Sequence, residues 1–142
     1  MSRNAKSFEY FDHTADIGMR ARGETLADLF QSLAQGLVEL IVEESPLELR
    51  EDQEVQLAAS DVDSLLVAWL SELLYWFATD GFLPAAYELE DVTETSLRAR
   101  VRGDRFDPAR HVQGREVKAI TRHLLQVTRT GDGWEGQVII DI

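Results

Sequence analysis

The chain has 142 residues, 14 Lys and Arg against 26 Asp and Glu, a formal net charge of −12, and no cysteine. That length suits one domain, 1–142, with no need of a disulfide or metal staple to fold; the lack of thiols excludes disulfides, thiolate zinc sites, iron–sulfur clusters and cysteine nucleophiles. The first residues lack an apolar core of signal-peptide length, and no apolar run reaches the roughly 18–20 residues of a membrane span, so a soluble cytoplasmic protein with no membrane partner is expected.

Phe8 to Phe11 is short, aromatic and strand-like. After His13-Thr14-Ala15-Asp16, the residues Ile17, Met19 and Ala21 alternate with Gly18, Arg20 and Arg22, the pattern of a half-buried strand that Gly23 closes. Thr25 with Asp28 resembles a capping box. Leu26, Leu29, Phe30, Leu33, Leu37, Leu40 and Ile41 then recur at helical spacing, which predicts an amphipathic helix to about Val42, with Pro46 ending any continuation.

Glu54 to Ala59 reads as a strand with Val55 and Leu57 facing inward. Ser60 and Asp63 offer a second cap pair for a helix over Asp61 to Thr79, which Asp80-Gly81 stops. Leu65, Leu66, Trp69, Leu70, Leu73, Leu74 and Phe77 make its apolar face; Tyr75 and Trp76 widen that stripe, so this helix is expected to be the more deeply buried of the two.

Ala85 to Val92 and Thr95 to Arg102 read as neighbouring strands, and Asp104 to Gly114 as a loop around Pro108. Val117 to Arg129, the turn 130–133, and Trp134 to Ile142 read as a long hairpin. The order β-β-α-β-α-β-β-β-β predicts an α+β fold: a mostly antiparallel sheet with two helices packed on one face.

Gripping nucleic acid through its phosphates needs clustered Lys and Arg. The basic concentrations here are Arg98, Arg100, Arg102 and Arg105, and a looser set from Arg110 to Arg129, neither interleaved with base-stacking aromatics. Strong direct nucleic-acid binding is therefore not expected; a basic protein partner or a cation suits the charge better. No Walker loop, dinucleotide-binding glycine motif, H-E-x-x-H or G-x-S-x-G is present.

Three segments carry candidate chemistry. Asp12-His13-Thr14-Ala15-Asp16 sits in a tight connection, where Asp and Thr side chains commonly bond nearby backbone, the reading favoured for the segment alone; the alternative is a carboxylate and an imidazole that hold a divalent cation. The strand Val138 to Ile142 puts the Asp141 side chain beside a main-chain carboxylate, two negative groups that repel unless a cation or a basic group sits between them; an edge strand that simply ends, with Asp141 facing water, also fits. Glu116-Val117-Lys118-Ala119-Ile120-Thr121-Arg122-His123 carries a lysine flanked by apolar residues, a pattern that a solvated edge strand also explains. His123 there fits a satisfied strand histidine as well as a ligand.

Together these segments resemble the archease family. The resemblance rests on His13-Thr14-Ala15-Asp16-Ile17-Gly18, on Trp69, Leu70, Glu72, Leu73 and Leu74, on Glu116 to Thr121 with His123, and on the final Asp141-Ile142. It runs through essentially the whole chain; one departure is Arg122, where archeases often carry a tyrosine. The resemblance implies a protein that is not itself an enzyme. It would activate the RNA ligase that joins ends bearing a cyclic phosphate or 3′-phosphate to a 5′-hydroxyl, in tRNA splicing and RNA repair. It would do so by promoting the ligase's reaction with GTP at a histidine and its repeated turnover.

By the same resemblance Asp16, Asp141 and the Ile142 carboxylate would hold a divalent cation, and Lys118 matches a functional position. His13 would orient a ligand or touch the partner, and His123 belongs to the matching segment. An all-oxygen donor set suits Ca²⁺, Mg²⁺ or Mn²⁺, and it requires the strand ending at Ile142 to lie beside the one leaving Asp16. The competing enzyme reading is a metal-dependent phosphohydrolase acting on a nucleotide or small phosphate ester, with His13 or His123 as general acid or base.

Overall fold

The computed structural model describes residues 7–13, 16–43 and 46–142, with His13 through its backbone. The elements run β1 (Phe8–His13), β2 (Asp16–Gly23), α1 (Leu26–Ile41), β3 (Glu51–Ala58), α2 (Val62–Asp80), β4 (Phe82–Glu90), β5 (Ser96–Arg105), β6 (Ala119–Ile120), β7 (Gln126–Arg129) and β8 (Trp134–Asp141). The class is α+β and every strand pair is antiparallel. The strands divide between two sheets: β1-β2-β8-β6, with β7 also on β8, and β3-β5-β4. Each helix touches strands of both sheets.

The capping box that opens α1 forms as its sequence implies. Thr25 Oγ1 accepts from the Asp28 amide at 3.1 Å and Asp28 Oδ2 accepts from the Thr25 amide at 3.3 Å. At α2 the cap falls one residue later than Ser60–Asp63: Asp61 is the N-cap and accepts from the Ser64 amide at 2.7 Å. A carboxylate is the better acceptor at the positive end of the helix dipole. Gly81, at φ 69°, closes the helix in the left-handed conformation that glycine adopts without strain.

The expected order of burial is reversed. Eleven of the 16 residues of α1 are buried, against six of the 19 in α2, where Tyr75 is 61% exposed. Small residues decide this. Gly36 lets β1 and β2 close over α1: a Cβ on it would come within 2.8 Å of Met19 Sδ and 3.1 Å of the Phe8 ring, and Ser32 bonds Ser7 beside β1. α2 keeps its core side, where the Trp69 indole N–H donates to Phe30 O at 3.0 Å, but turns Tyr75, Ala78 and Thr79 to solvent.

Strand limits differ where charge hides the pattern. β3 starts at Glu51, three residues before the expected Glu54, because its acids are matched across the sheet: Glu51 pairs with Arg105, Asp52 with Arg102 and Glu54 with Arg100. Val55 and Leu57 pack on the core as expected. β5 runs on through Asp104 and Arg105, residues expected in a loop.

The single strand expected over Val117 to Arg129 is broken into β6 and β7. Both the amide and the hydroxyl of Thr121 donate to Ile139 O, at 3.0 and 2.9 Å, and the His123 amide returns to Thr121 Oγ1. Such local bonds draw the backbone out of the ladder. Leu124 comes next, at φ 54°.

Candidate functional site

Register builds the site. Across the five-stranded sheet His13 pairs with Asp16, Asp16 with Asp141, and Asp141 with Ala119, so one row crosses β1, β2, β8 and β6. The strand carrying Asp141 therefore does lie beside the one leaving Asp16. Residues directly opposed in an antiparallel pair share a face, with Cβ atoms about 5 Å apart. Both carboxylate-bearing residues are half-buried. Among the described residues neither side chain has an ion pair or a hydrogen bond. Like charges directly opposed destabilise a sheet, and nothing described here offsets them.

The remaining sequence candidates fall into two groups. Lys118 is brought to the row: its amide donates to Asp141 O at 2.8 Å, while its side chain is exposed. Ile142 packs its side chain on the core next to Asp141. His123 is not brought there. It stands in the turn between β6 and β7, beyond the paired row. The side chain of His13, and Thr14 and Ala15 altogether, lie outside the described residues. Among the described residues no three His, Asp or Glu side chains gather as a metal-ligand cluster, so the side-chain donors here are the Asp16–Asp141 pair.

A cleft of about 530 Å³ opens beside the row, between Asp12 and Ile17, Glu39 and Leu40 at the end of α1, and Arg115. The Tyr10 hydroxyl in its wall donates to Gly36 O at 2.9 Å; burial, with Glu39 adding to it, pushes the phenol pKa up.

A second constellation carries no recognisable signature in the sequence. Asp104 is fully buried, and Arg110 reaches both of its oxygens, at 2.9 and 3.1 Å. Its oxygens also accept from the Glu48 and Arg105 amides, at 3.0 and 2.8 Å, and His111 Nε2 lies 3.2 Å from Oδ2. The Arg110 hydrogen bonds, helped by those two amides and opposed by burial, hold the Asp104 carboxyl well below the usual carboxylate range. The one hint in the sequence is an acid at a strand end, with Arg110-His111 six residues later across Pro108. That spacing has no periodicity, and the same residues read as an ordinary polar loop.

Residues 8–142 match the model of the Archease protein family. The archease of Methanosarcina mazei is 36% identical over the whole of both chains. That of Pyrococcus furiosus is 34% identical over 96% of this chain and 99% of its own. Among solved structures, protein 1598 of Methanobacterium thermoautotrophicum superposes with a TM-score of 0.82 at 30% identity, covering 97% of this chain and all of that one. An archease from Thermotoga maritima, described as a possible chaperone, shares the fold at a TM-score of 0.63 and 23% identity over 93% of this chain and 94% of its own. With a family model spanning nearly its full length and relatives this similar end to end, the chain belongs to the archease family.

Proposed function

We propose that this protein is a non-catalytic activator of an RNA ligase. It promotes the ligase's GTP-dependent guanylylation and its multiple turnover in tRNA splicing and RNA repair. The observation that carries the reading is the opposition of Asp16 and Asp141 on adjoining strands, with the Lys118 amide on the Asp141 carbonyl. Two carboxylates opposed without a described counter-charge suit a divalent cation, because hard oxygen donors are what Ca²⁺, Mg²⁺ and Mn²⁺ prefer. Asp16 and Asp141, with main-chain oxygen at Ile142, would hold it. When bound, the ion supplies a positive centre at which phosphate oxygens can be oriented. The chain's own contribution is to fix the two carboxylates on paired strands, so that little order has to be gained when the partner docks.

The test is transfer of label from GTP to a cognate ligase. Adding this protein should raise the guanylylated fraction. Asp16→Ala and Asp141→Ala should remove most of that stimulation while leaving the circular dichroism spectrum unchanged. Equal stimulation by both variants would contradict the reading and favour a chaperone-like role, the description given to the Thermotoga relative. Phosphate release from GTP by this protein alone would instead favour the phosphohydrolase.

A further inference from the structure

Asp104 is a fully buried carboxylate that the ligase-activating role does not use. It is also thoroughly satisfied. Arg110 grips it with two bonds, and two backbone amides and His111 add three more contacts. The Asp107 amide donates to His111 Nδ1 at 2.9 Å, which leaves the ring proton on Nε2, facing Asp104. The chain from 104 to 111 is thereby folded back on itself.

The stretch from residue 106 to Lys118 forms no strand, yet it is fastened at short intervals. Val112 O accepts from the Glu43 amide at 2.7 Å. The Gly114 and Arg115 amides donate to Ile41 O and Leu40 O at 2.9 and 2.7 Å, covering carbonyls that the end of α1 leaves without helical partners. A Cβ on Gly114 would come within 2.4 Å of Leu40 O, so the approach depends on glycine. Lys118 then bonds Asp141.

An apolar plug could anchor such a loop at least as firmly, since burying an ion pair adds little net stability. A bidentate arginine instead fixes orientation as well as distance. We propose that the buried Asp104–Arg110–His111 clasp is a positioning device: it sets the path of residues 106–118 and so fixes where Arg115 meets the end of α1 and where Lys118 meets Asp141. Its importance for activity rests on the ligase-activator reading; its effect on the loop does not.

Native-state amide exchange on the isolated protein separates the two. In Asp104→Asn, and in the milder Arg110→Lys that keeps the charge but loses the fork, protection of the Arg115 and Lys118 amides should fall about tenfold or more. The β2–β8 ladder amides at Met19 and Val138 should lose clearly less. In the ligase assay, Arg110→Lys should lower the stimulated guanylylation. Unchanged protection at Arg115 and Lys118, or an equal loss throughout the β2–β8 ladder, would overturn the proposal by making the clasp a general stability element. Selective loosening together with no stimulation even by the unaltered protein would leave the clasp standing and remove the ligase reading instead.

Discussion

The outer face of β3-β5-β4 and the last row of β8 treat charge in opposite ways, although the rest of the five-stranded sheet also matches its charges, Arg20 with Glu9 and Arg22 with Glu135. On β3-β5-β4 each outward arginine of β5 meets an acid: Arg98 pairs with Asp91 and Glu90, Arg100 with Glu54, Arg102 with Asp52 and Arg105 with Glu51. On β1-β2-β8-β6 the row ending β8 sets Asp16 against Asp141, with no described cation beside them. A chain with a net charge of −12 has few arginines to spare, and it commits a run of them to a face with no assigned role. The unmatched pair is therefore a local exception to a rule the molecule follows elsewhere, and such exceptions concentrate at functional sites.

The comparison can be sharpened by removing charges one at a time. The largest effect on stability belongs to the clasp: Asp104→Ala leaves the Glu48 and Arg105 amides without their acceptor and should cost about 1–3 kcal/mol in urea denaturation, the usual penalty for unsatisfied buried groups, while the partly exposed Arg110 regains water. Because the folded Asp104 carboxyl is held below its unfolded value, its contribution is present above the unfolded pKa of about 4 and fades as pH falls further. Between about pH 4 and pH 2 the unaltered protein should thus lose stability more steeply than Asp104→Asn does.

A smaller effect of opposite sign is expected at the row. In chelator, Asp141→Asn should raise stability by up to about 1 kcal/mol, because it relieves a like-charge opposition; a clear loss would mean that the carboxylate already has a stabilising partner. The smallest effect belongs to Arg102→Ala, an exposed pair member worth about 1 kcal/mol at most, and less in salt.

Much of the fold is legible in the sequence, and the parts that are not have physical causes. Thr25 and Asp28 announce α1, Leu97, Ala99 and Val101 announce β5, and the expectation, taken from the family resemblance, that Asp16 and Asp141 lie together implies the β2–β8 pairing that the register shows. The relative burial of the helices is misjudged when bulk is weighed over fit: Trp76 is core as it looks, but Tyr75 is exposed, while Gly36 allows α1 the closer packing. The first residues of β3 look too acidic for a strand, since their matching arginines lie some 50 residues away. The clasp is invisible for the same reason its loop looks ordinary: Asp104, Arg110 and His111 meet through a turn, and no spacing marks a turn that buries its charges.

The most direct measurement sets the matched face and the unmatched row against each other in one assay, the transfer of labelled GTP to a cognate ligase in the presence of this protein and a divalent cation. The expected result is full stimulation by Arg102→Ala and little or none by Asp141→Asn, with both variants showing the circular dichroism spectrum of the unaltered protein although each removes one charge. Equal stimulation by the two would show that the opposed carboxylates are incidental, and would contradict the central claim.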